Sequence, residues 1–532
     1  MRLLRALLAF VALALAAPVS AQTLEELAAR LPAGDFAQRG EVVRQIAATG
    51  DPRAAAVLEA LGAGDLAQLR DGRVVRTETV ARVTTAYDLF TGESLGELGR
   101  RDAERIRVNN ALRRDIAAAI GVLTLMSPDP ARRLEAAAKA LAAPDPEQIE
   151  ALDAAIAAET VPQVREAFLD ARAAAALRSG LPTAERVAAA ERLAARADRT
   201  ALSLLAAAES DADPAVAEAA AAGRAEVERI RAAWAAAQNV WYGVSLGSVL
   251  LLAAIGLAIS FGVMGVINMA HGELVMLGAY VTFTVQEIIR TSAPGLFDWS
   301  LAIAAPLAFL VAGAVGVGIE RGVCRWLYGR PLETLLATWG VSLILQQAVR
   351  SIYGPTNREV GNPSWMSGSF QIGQLDVTWS RFHILLFALA VFLLLLLLLK
   401  RTALGLQMRA VTQNRRMAAS MGVRTGWVDA MTFGLGAGVG GLAGVALSQI
   451  DNVSPNLGQG YIVDSFMVVV FGGVGNLWGA FAGAFTLGIV NKFLEPYAGA
   501  VLGKVLVLVF IILFIQRRPR GLFALRGRAV EQ

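Results

Sequence analysis

The chain has 532 residues, 55% of them hydrophobic and only 18% charged, with a mean hydropathy of +0.51. Soluble chains carry about 25% charge and roughly 45–50% apolar residues, so a wholly water-soluble protein is excluded. Residues 22–231 hold 27 basic and 33 acidic side chains, whereas residues 232–532 hold 20 and 12. The basic excess behind the pI near 9.4 sits in short loops between apolar runs, with no basic patch interleaved with aromatics, so nucleic acid is not an expected partner. A single cysteine, Cys324, excludes a disulfide framework or multi-cysteine metal site, and two histidines, His271 and His383, make a histidine metal centre improbable. No metal and no catalytic group is expected.

Residues 1–21 read as a secretory signal: Arg2 and Arg5, an apolar core from Ala6 to Ala17, and Val19-Ser20-Ala21 before the cleavage point. The core is too short to span a bilayer, which takes about 20 residues. Residues 22–235 then form an exported segment that reads as helical nearly throughout, with Leu134, Leu141, Ile149, Leu152 and Ile156 at helical spacing and breaks at Asp129-Pro130, Pro144-Asp145-Pro146, Pro162, Pro182 and Asp213-Pro214. Residues near 131–175 match residues near 183–227 at an offset of 52, pairing Leu141 with Leu193, Leu152 with Leu204, Pro162 with Pro214 and Val164 with Val216. Such repetition suggests an α-solenoid, and residues 47–58 resemble a HEAT-type turn and helix. The default role is an interaction surface.

From residue 236 a polytopic all-α membrane domain is expected, with apolar runs near 240–260, 272–290, 299–319, 332–352, 382–399, 427–449, 462–490 and 501–516. With the exported segment outside, the loops after the third and fifth runs lie inside. They carry Arg321, Arg325 and Arg330, then Lys400, Arg401, Arg409, Arg415, Arg416 and Arg424. Eight simple crossings would leave the basic end, Arg517 to Arg528, outside. One run must therefore fail to cross simply. The run 462–490 is the candidate, because Gly472-Gly473-Val474-Gly475-Asn476 interrupts it.

Chemistry is sparse. No G-x-x-x-x-G-K-[ST] loop occurs, since Val505 follows Lys504 in the nearest sequence, so ATP is not hydrolysed by a P-loop of this chain. Ionisable residues within the runs are few, chiefly Glu273, Glu287, Glu333, Asp429, Asp464 and Lys504, which disfavours a proton- or sodium-coupled carrier. The stretch Gly262 to Leu274 places Asn268, His271 and Glu273 between two apolar runs, with Asn268 as a favourable N-cap. It reads either as a broken helix lining a pathway or as a tight cytoplasmic turn. With the second break, candidate pathway residues are Asn268, His271, Glu273, Gly475, Asn476 and Trp478; Trp478 either narrows a path or fills core. The basic loop 402–422 offers an apolar stripe of Met408, Val411, Met417, Ala418 and Met421, suited to a docking surface that moves; the plainer reading is topology and binding of anionic lipid. Gly436, Gly440 and Gly444, like Gly475, Gly479 and Gly483, lie four apart, as helix-packing glycines do. Cys324 and His383 read as bystanders.

At Gly265-Val-Ile-Asn-Met-Ala-His-Gly-Glu273 the chain resembles the branched-chain-amino-acid-type permeases of ABC importers. The resemblance runs over roughly 240–525 and includes Gly405, Arg409, Ala410, Asn414, Ala418 and Gly422, Pro455-Asn-Leu-Gly458, and Phe471-Gly-Gly-Val-Gly-Asn-Leu-Trp-Gly-Ala480. It implies that 402–422 couples the permease to separate ATPase subunits, where ATP is used. It also implies a homologous second permease, two ATP-binding cassette subunits, a periplasmic binding protein and an inner-membrane location. The long exported segment resembles the urea-importer permease of that family, which implies urea or a close small amide. Branched-chain amino acids remain the nearest alternative, and a passive urea or amide channel and a membrane-anchored scaffold are the readings from other classes.

Overall fold

The computed structural model describes residues 23–51, 53–80, 83–99 and 102–523; the expected signal segment lies outside them. The chain divides into two compact units between Arg231 and Ala232.

The first unit begins with α1 (Leu24–Arg30), α2 (Phe36–Ala48) and α3 (Ala54–Ala63). Thr23 and Asp35 cap the first two, each in a reciprocal capping box with the third residue along, Glu26 and Gln38. Here the expectation of continuous helix fails: β1 (Leu66–Leu69), β2 (Val74–Val80), β3 (Val83–Asp88), β4 (Ser94–Leu98) and β5 (Ala103–Arg105) form an antiparallel sheet in the order β4-β3-β2-β1-β5. The reason is local: β2 and β3 are dominated by valine and threonine, which favour a pleated, half-buried surface. Gly72 at φ +89° and Gly92 at φ +73° turn the chain between strands.

Helices then resume with α4 (Asn110–Leu125), α5 (Pro130–Ala142), α6 (Ile149–Ala158), α7 (Pro162–Leu177), α8 (Thr183–Arg196), α9 (Arg199–Ala208) and α10 (Pro214–Met264). The prolines open helices, as their missing N–H allows; Asp129 and Asp213 accept from the N–H of Ala131 and Ala215 just beyond Pro130 and Pro214. The offset of 52 appears as two helix triplets, α5-α6-α7 and α8-α9 with the start of α10. Leu141, Val164, Leu193 and Val216 share one core; Leu152 is buried there while Leu204 only packs against it, its place taken by Leu205. Arg133 clasps Glu159 at 2.7 and 3.0 Å, and this pairing holds the Glu159 carboxyl below its ordinary range.

The second unit contains the rest of α10, α11 (His271–Ser292), α12 (Ser300–Gly322), α13 (Pro331–Tyr353), a hairpin of β6 (Ser369–Ile372) and β7 (Leu375–Thr378), and α14 (Trp379–Arg401). After these come α15 (Ala403–Gln413), α16 (Arg415–Ser420), α17 (Thr425–Leu447), α18 (Leu457–Gly472) and α19 (Leu477–Arg517). Among the described residues six helices are long and apolar enough to cross a membrane: α10, α11, α12 with the turn before it, α14, α17 and α19. The all-α class holds for the chain, the small sheet and hairpin aside.

The run 462–490 is two antiparallel helices. A Cβ on Gly479 would collide with Gly472 O, and one on Gly483 would lie 2.9 Å from Val468 O, so α18 turns back through 473–476 into α19. At Gly499, with φ +74° and ψ 166°, α19 reverses in turn. Its second arm runs beside α18, with Lys504 on Asp464 at 2.9 Å, Phe514 against Phe471, and Leu522 N–H donating to Phe471 O at 2.9 Å. The C-terminal arginines Arg517, Arg518 and Arg520 thus end beside the 473–476 break, and the run 462–490 does not cross as one simple helix.

α17 lies at the centre, its glycines turned to three neighbours. A Cβ on Gly436 would sit 2.5 Å from Gly256 O of α10, one on Gly441 2.6 Å from Ala308 O of α12, and one on Gly444 would overlap Val275 O of α11. Helices in hydrocarbon are held by such close approach and not by a hydrophobic force between them. Gly444→Leu should therefore cut the yield of monodisperse detergent-solubilised protein severalfold, whereas Gly318→Leu, with nothing within 4 Å, should leave it unchanged in size-exclusion chromatography.

Candidate functional site: a buried polar stripe and a cavity over the basic segment

Past Met264 the backbone turns at Gly265, φ +69°, and runs back beside α10. The Nε2–H of His271 donates to Ala253 O at 2.9 Å, about eleven residues, or roughly 16 Å, in from the end of α10. The stretch is therefore a re-entrant segment and not a tight turn at the end of the helix. Irregular backbone survives at such depth only when its polar groups are satisfied within the protein, and several of them are satisfied by side chains. Asn268, 1% exposed, accepts from Ala270 N–H at 3.0 Å, Met269 N–H donates to Thr338 Oγ1 at 3.1 Å, and Thr338 donates to Ile267 O at 3.3 Å. Asn268 is not the N-cap expected of it, because α11 starts at His271 with Ala270 in the cap position; its side chain closes the turn two residues earlier.

Glu273 is 1% exposed. Its Oε1 accepts from Ser342 Oγ at 3.0 Å and from Gln346 Nε2 at 2.7 Å, while Oε2 has no hydrogen-bond partner among the described residues. Thr334, Thr338, Ser342 and Gln346 are all buried on one face of α13, four residues apart, so they form a polar stripe facing the re-entrant segment. The sequence reading missed this stripe. Its signal is plain in retrospect: polar residues at strict spacing of four through an otherwise apolar run.

The other three pathway candidates lie elsewhere. Gly475, Asn476 and Trp478 line a cavity of about 560 Å³ together with Gly262, Gly405 and Arg409, a volume in the range of small-molecule sites. Asn268, His271 and Glu273 are not in its lining, so the six candidates separate into two groups. A Cβ on Gly262 would collide with Gly475 Cα; the two glycine breaks touch. Asn476 caps α19, accepting from Trp478 and Gly479 N–H at 3.0 and 3.2 Å. Trp478 is half-exposed and packs edge-on against Phe392, so it borders the cavity and does not fill core.

The basic segment folds as the two short helices α15 and α16. Gly405 is where α15 meets the end of α14, since a Cβ there would overlap Leu399 O; Arg409 Nη1 donates to that same oxygen at 2.5 Å. Ala410 O accepts from Asn414 N–H at 3.0 Å, and Asn414 Oδ1 accepts from Met417 N–H at 2.9 Å, which makes Asn414 the joint between the helices. Ala418 is buried, and Gly422 leaves α16 at φ +85°. The expected apolar stripe is in fact two faces: Met408, Val411 and Ala418 are buried, whereas Met417 and Met421 are exposed. Cys324 is buried, its thiol pushed up to about 12 by burial and by Glu320. His383 lies at the surface among Trp365, Trp379 and Phe382.

Residues 239–515 match the family model described as the branched-chain amino acid transport system / permease component. The chain belongs to this family. It is 31% identical over 294 residues to the high-affinity branched-chain amino acid transport system permease protein LivH of Escherichia coli, covering 54% of this chain and 94% of LivH. It is 30% identical over 292 residues to BraD of Pseudomonas aeruginosa, covering 54% and 94%. A weaker likeness, 29% over 206 residues, links it to the autoinducer 2 import system permease protein LsrC of Salmonella paratyphi B, covering 37% and 56%. No solved structure matches. The protein is a permease component of a branched-chain-amino-acid-type ABC transporter, and its first unit lies outside the matched region.

Among the described residues, Glu273 Oε1 on α11 is the one acceptor that both Ser342 Oγ and Gln346 Nε2 reach. Glu273→Leu should leave two buried donors without it, at about 1–3 kcal/mol each, and lower the thermal transition of the detergent-solubilised protein; Glu273→Gln, which keeps an acceptor oxygen, should cost less.

Proposed function

We propose that this chain is the translocation subunit of an ATP-driven importer of urea or a close small amide, working with a homologous permease, two ATPase subunits and a periplasmic binding protein. It sits in the inner membrane with residues 22–235 in the periplasm. The observation that carries the transport reading is the cavity that sets the 473–476 break and the end of α10 against the basic segment, because it puts irregular backbone next to the segment that the ATPases would move. ATP binding and hydrolysis in the partner subunits would then alternate the path between its two openings. Arg409, Asn414 and Gly422 shape the docking segment, and Met417 and Met421 face outward from it.

The amide reading is supported by the chemistry of the buried stripe. Urea is neutral, with four N–H donors and one carbonyl, and needs amide, hydroxyl and backbone partners without a counter-ion. Asn268, Thr338, Ser342 and Gln346 are such partners, and Glu273 adds an acceptor. The second reading, import of branched-chain amino acids, is favoured by the names of the relatives LivH and BraD.

Vesicles carrying the assembled complex, supplied outside with the binding protein that co-purifies, should take up labelled urea and not labelled leucine, and only with ATP inside. Leucine uptake would keep the importer and replace the substrate; flux without ATP would make the protein a channel. Gly422→Trp should abolish uptake with the protein still in the membrane. Asn268→Leu should impair uptake far more than Leu397→Ala on an exposed face of α14, and equal minor effects would reduce Asn268 to a turn-closing role.

A further inference from the structure

At the base of the membrane unit a chain of polar contacts runs from the docking segment, where Arg415 is exposed, to buried carboxylates on two pore helices. Asp429, near the start of α17, is fully buried, and Arg415 of α16 grips both its oxygens, Nη1 on Oδ1 at 3.1 Å and Nη2 on Oδ2. The same guanidinium lies over the Tyr328 ring, 4.9 Å from its centre, close enough for a cation–π contact. Tyr328 O–H donates to Glu320 Oε1 at 2.6 Å. Glu320 is 1% exposed near the end of α12, and its Oε2 lacks a hydrogen bond, with Arg321 Nε 3.5 Å away. Thr334 Oγ1 donates to Leu327 O at 3.2 Å and ties the intervening turn to α13.

Arg415 reaches in from the surface, but the carboxylate it holds is fully buried, which sets this pair apart from one with both partners in solvent. A two-pronged Arg–carboxylate bond fixes orientation as well as distance, and a buried carboxylate that loses its partner is strongly destabilised. Asp429 therefore has to follow Arg415. The stacked Tyr328 passes the same displacement to Glu320. α12 and α17 are the helices that pack on each other through Gly441 and Ala308, and α17 also carries Gly436 on α10 and Gly444 on α11.

We propose that Arg415 is a positioning residue that transmits movement of the 402–424 segment to two pore helices at once, to α17 through Asp429 and to α12 through Tyr328 and Glu320. This rests on the reading that the segment docks the ATPase subunits. A lysine retains the charge but neither the two-pronged bond nor the flat stacking surface.

The test uses the full complex in vesicles and measures ATP hydrolysed per substrate molecule imported. Arg415→Lys and Tyr328→Phe should each raise that ratio at least about fivefold, the lower end of typical coupling between sites, while the ATPase subunits still co-purify. Arg415→Lys combined with Asp429→Asn should be no worse than the more severe single variant, as expected of residues acting through one contact. An unaltered ratio in both single variants overturns the proposal. So does loss of the ATPase subunits from the Arg415→Lys complex, because the residue would then only hold the docking surface. Tyr328→Phe, nearly isosteric, reads the network if the Arg415 variant does not insert. Failure of the parent complex to show any ATP-driven uptake would instead remove the functional reading beneath the proposal.

Discussion

Hydrocarbon neither hydrogen-bonds a peptide group nor pushes apolar helices together, so a membrane-embedded chain must satisfy its backbone internally and gain its cohesion from close packing. Here both demands meet at glycine. Gly262 rests on Gly475, Gly272 on Gly458, Gly436 on Gly256 and Gly472 on Gly479, each a place where a methyl group would strike main chain. Backbone contact at these points lets the chain leave helical geometry at 265–270 and again at 473–476. The groups so exposed are then closed by short polar side chains, Asn268 on Ala270 and Asn476 on Trp478 and Gly479.

That packing has a mechanical consequence. Elements that touch through backbone have little compressible side chain between them, so displacement of one is passed on as displacement and not absorbed by rotamer changes. α17 shares such contacts with α10, α11 and α12, and its lower end is fixed to α16 through Asp429 and Arg415. The basic segment is thereby tied to the same helix that frames the re-entrant segment, without any residue common to the cavity and the polar stripe.

Much of this was legible in the sequence, and for physical reasons. Basic loops fix sidedness whatever the tertiary packing, so the parity conflict at Arg517 pointed to the run 462–490, and the glycines within it said where it folds back. Of the glycines four apart, Gly436, Gly444, Gly479 and Gly483 meet neighbouring backbone, whereas Gly440 meets the His271 ring and Gly475 lies in the break. Proline and aspartate pairs such as Asp129-Pro130 located helix starts because both residues act locally. The sheet at 66–105 was hidden because alanine-rich helices on either side dominated the composition, although Val74 to Thr79 alternates as strands do. The α13 stripe is hidden within a run whose average is apolar. The Met408 to Met421 stripe would be one face only of a single helix, whereas Asn414 ends one helix and begins another. The grouping of pathway candidates depended on how far residues 265–270 turn back, which no local pattern encodes.

Charges in the membrane unit show how unusual Glu273 is. Asp429 has Arg415, Asp464 has Lys504 at 2.9 Å, and Glu320 has Tyr328 with Arg321 nearby. Glu273 is held by the neutral donors Ser342 and Gln346 and leaves Oε2 without a partner. A buried acceptor left bare costs about 1–3 kcal/mol, and a cationic partner would remove that cost at the expense of occupying the acceptor permanently. On the proposal that the substrate is an amide, the bare oxygen is an acceptor left open to it. An N–H donor arriving from outside the chain would be stabilised there without first displacing a bond, and the neutral neighbours would release it more readily than a fixed charge pair.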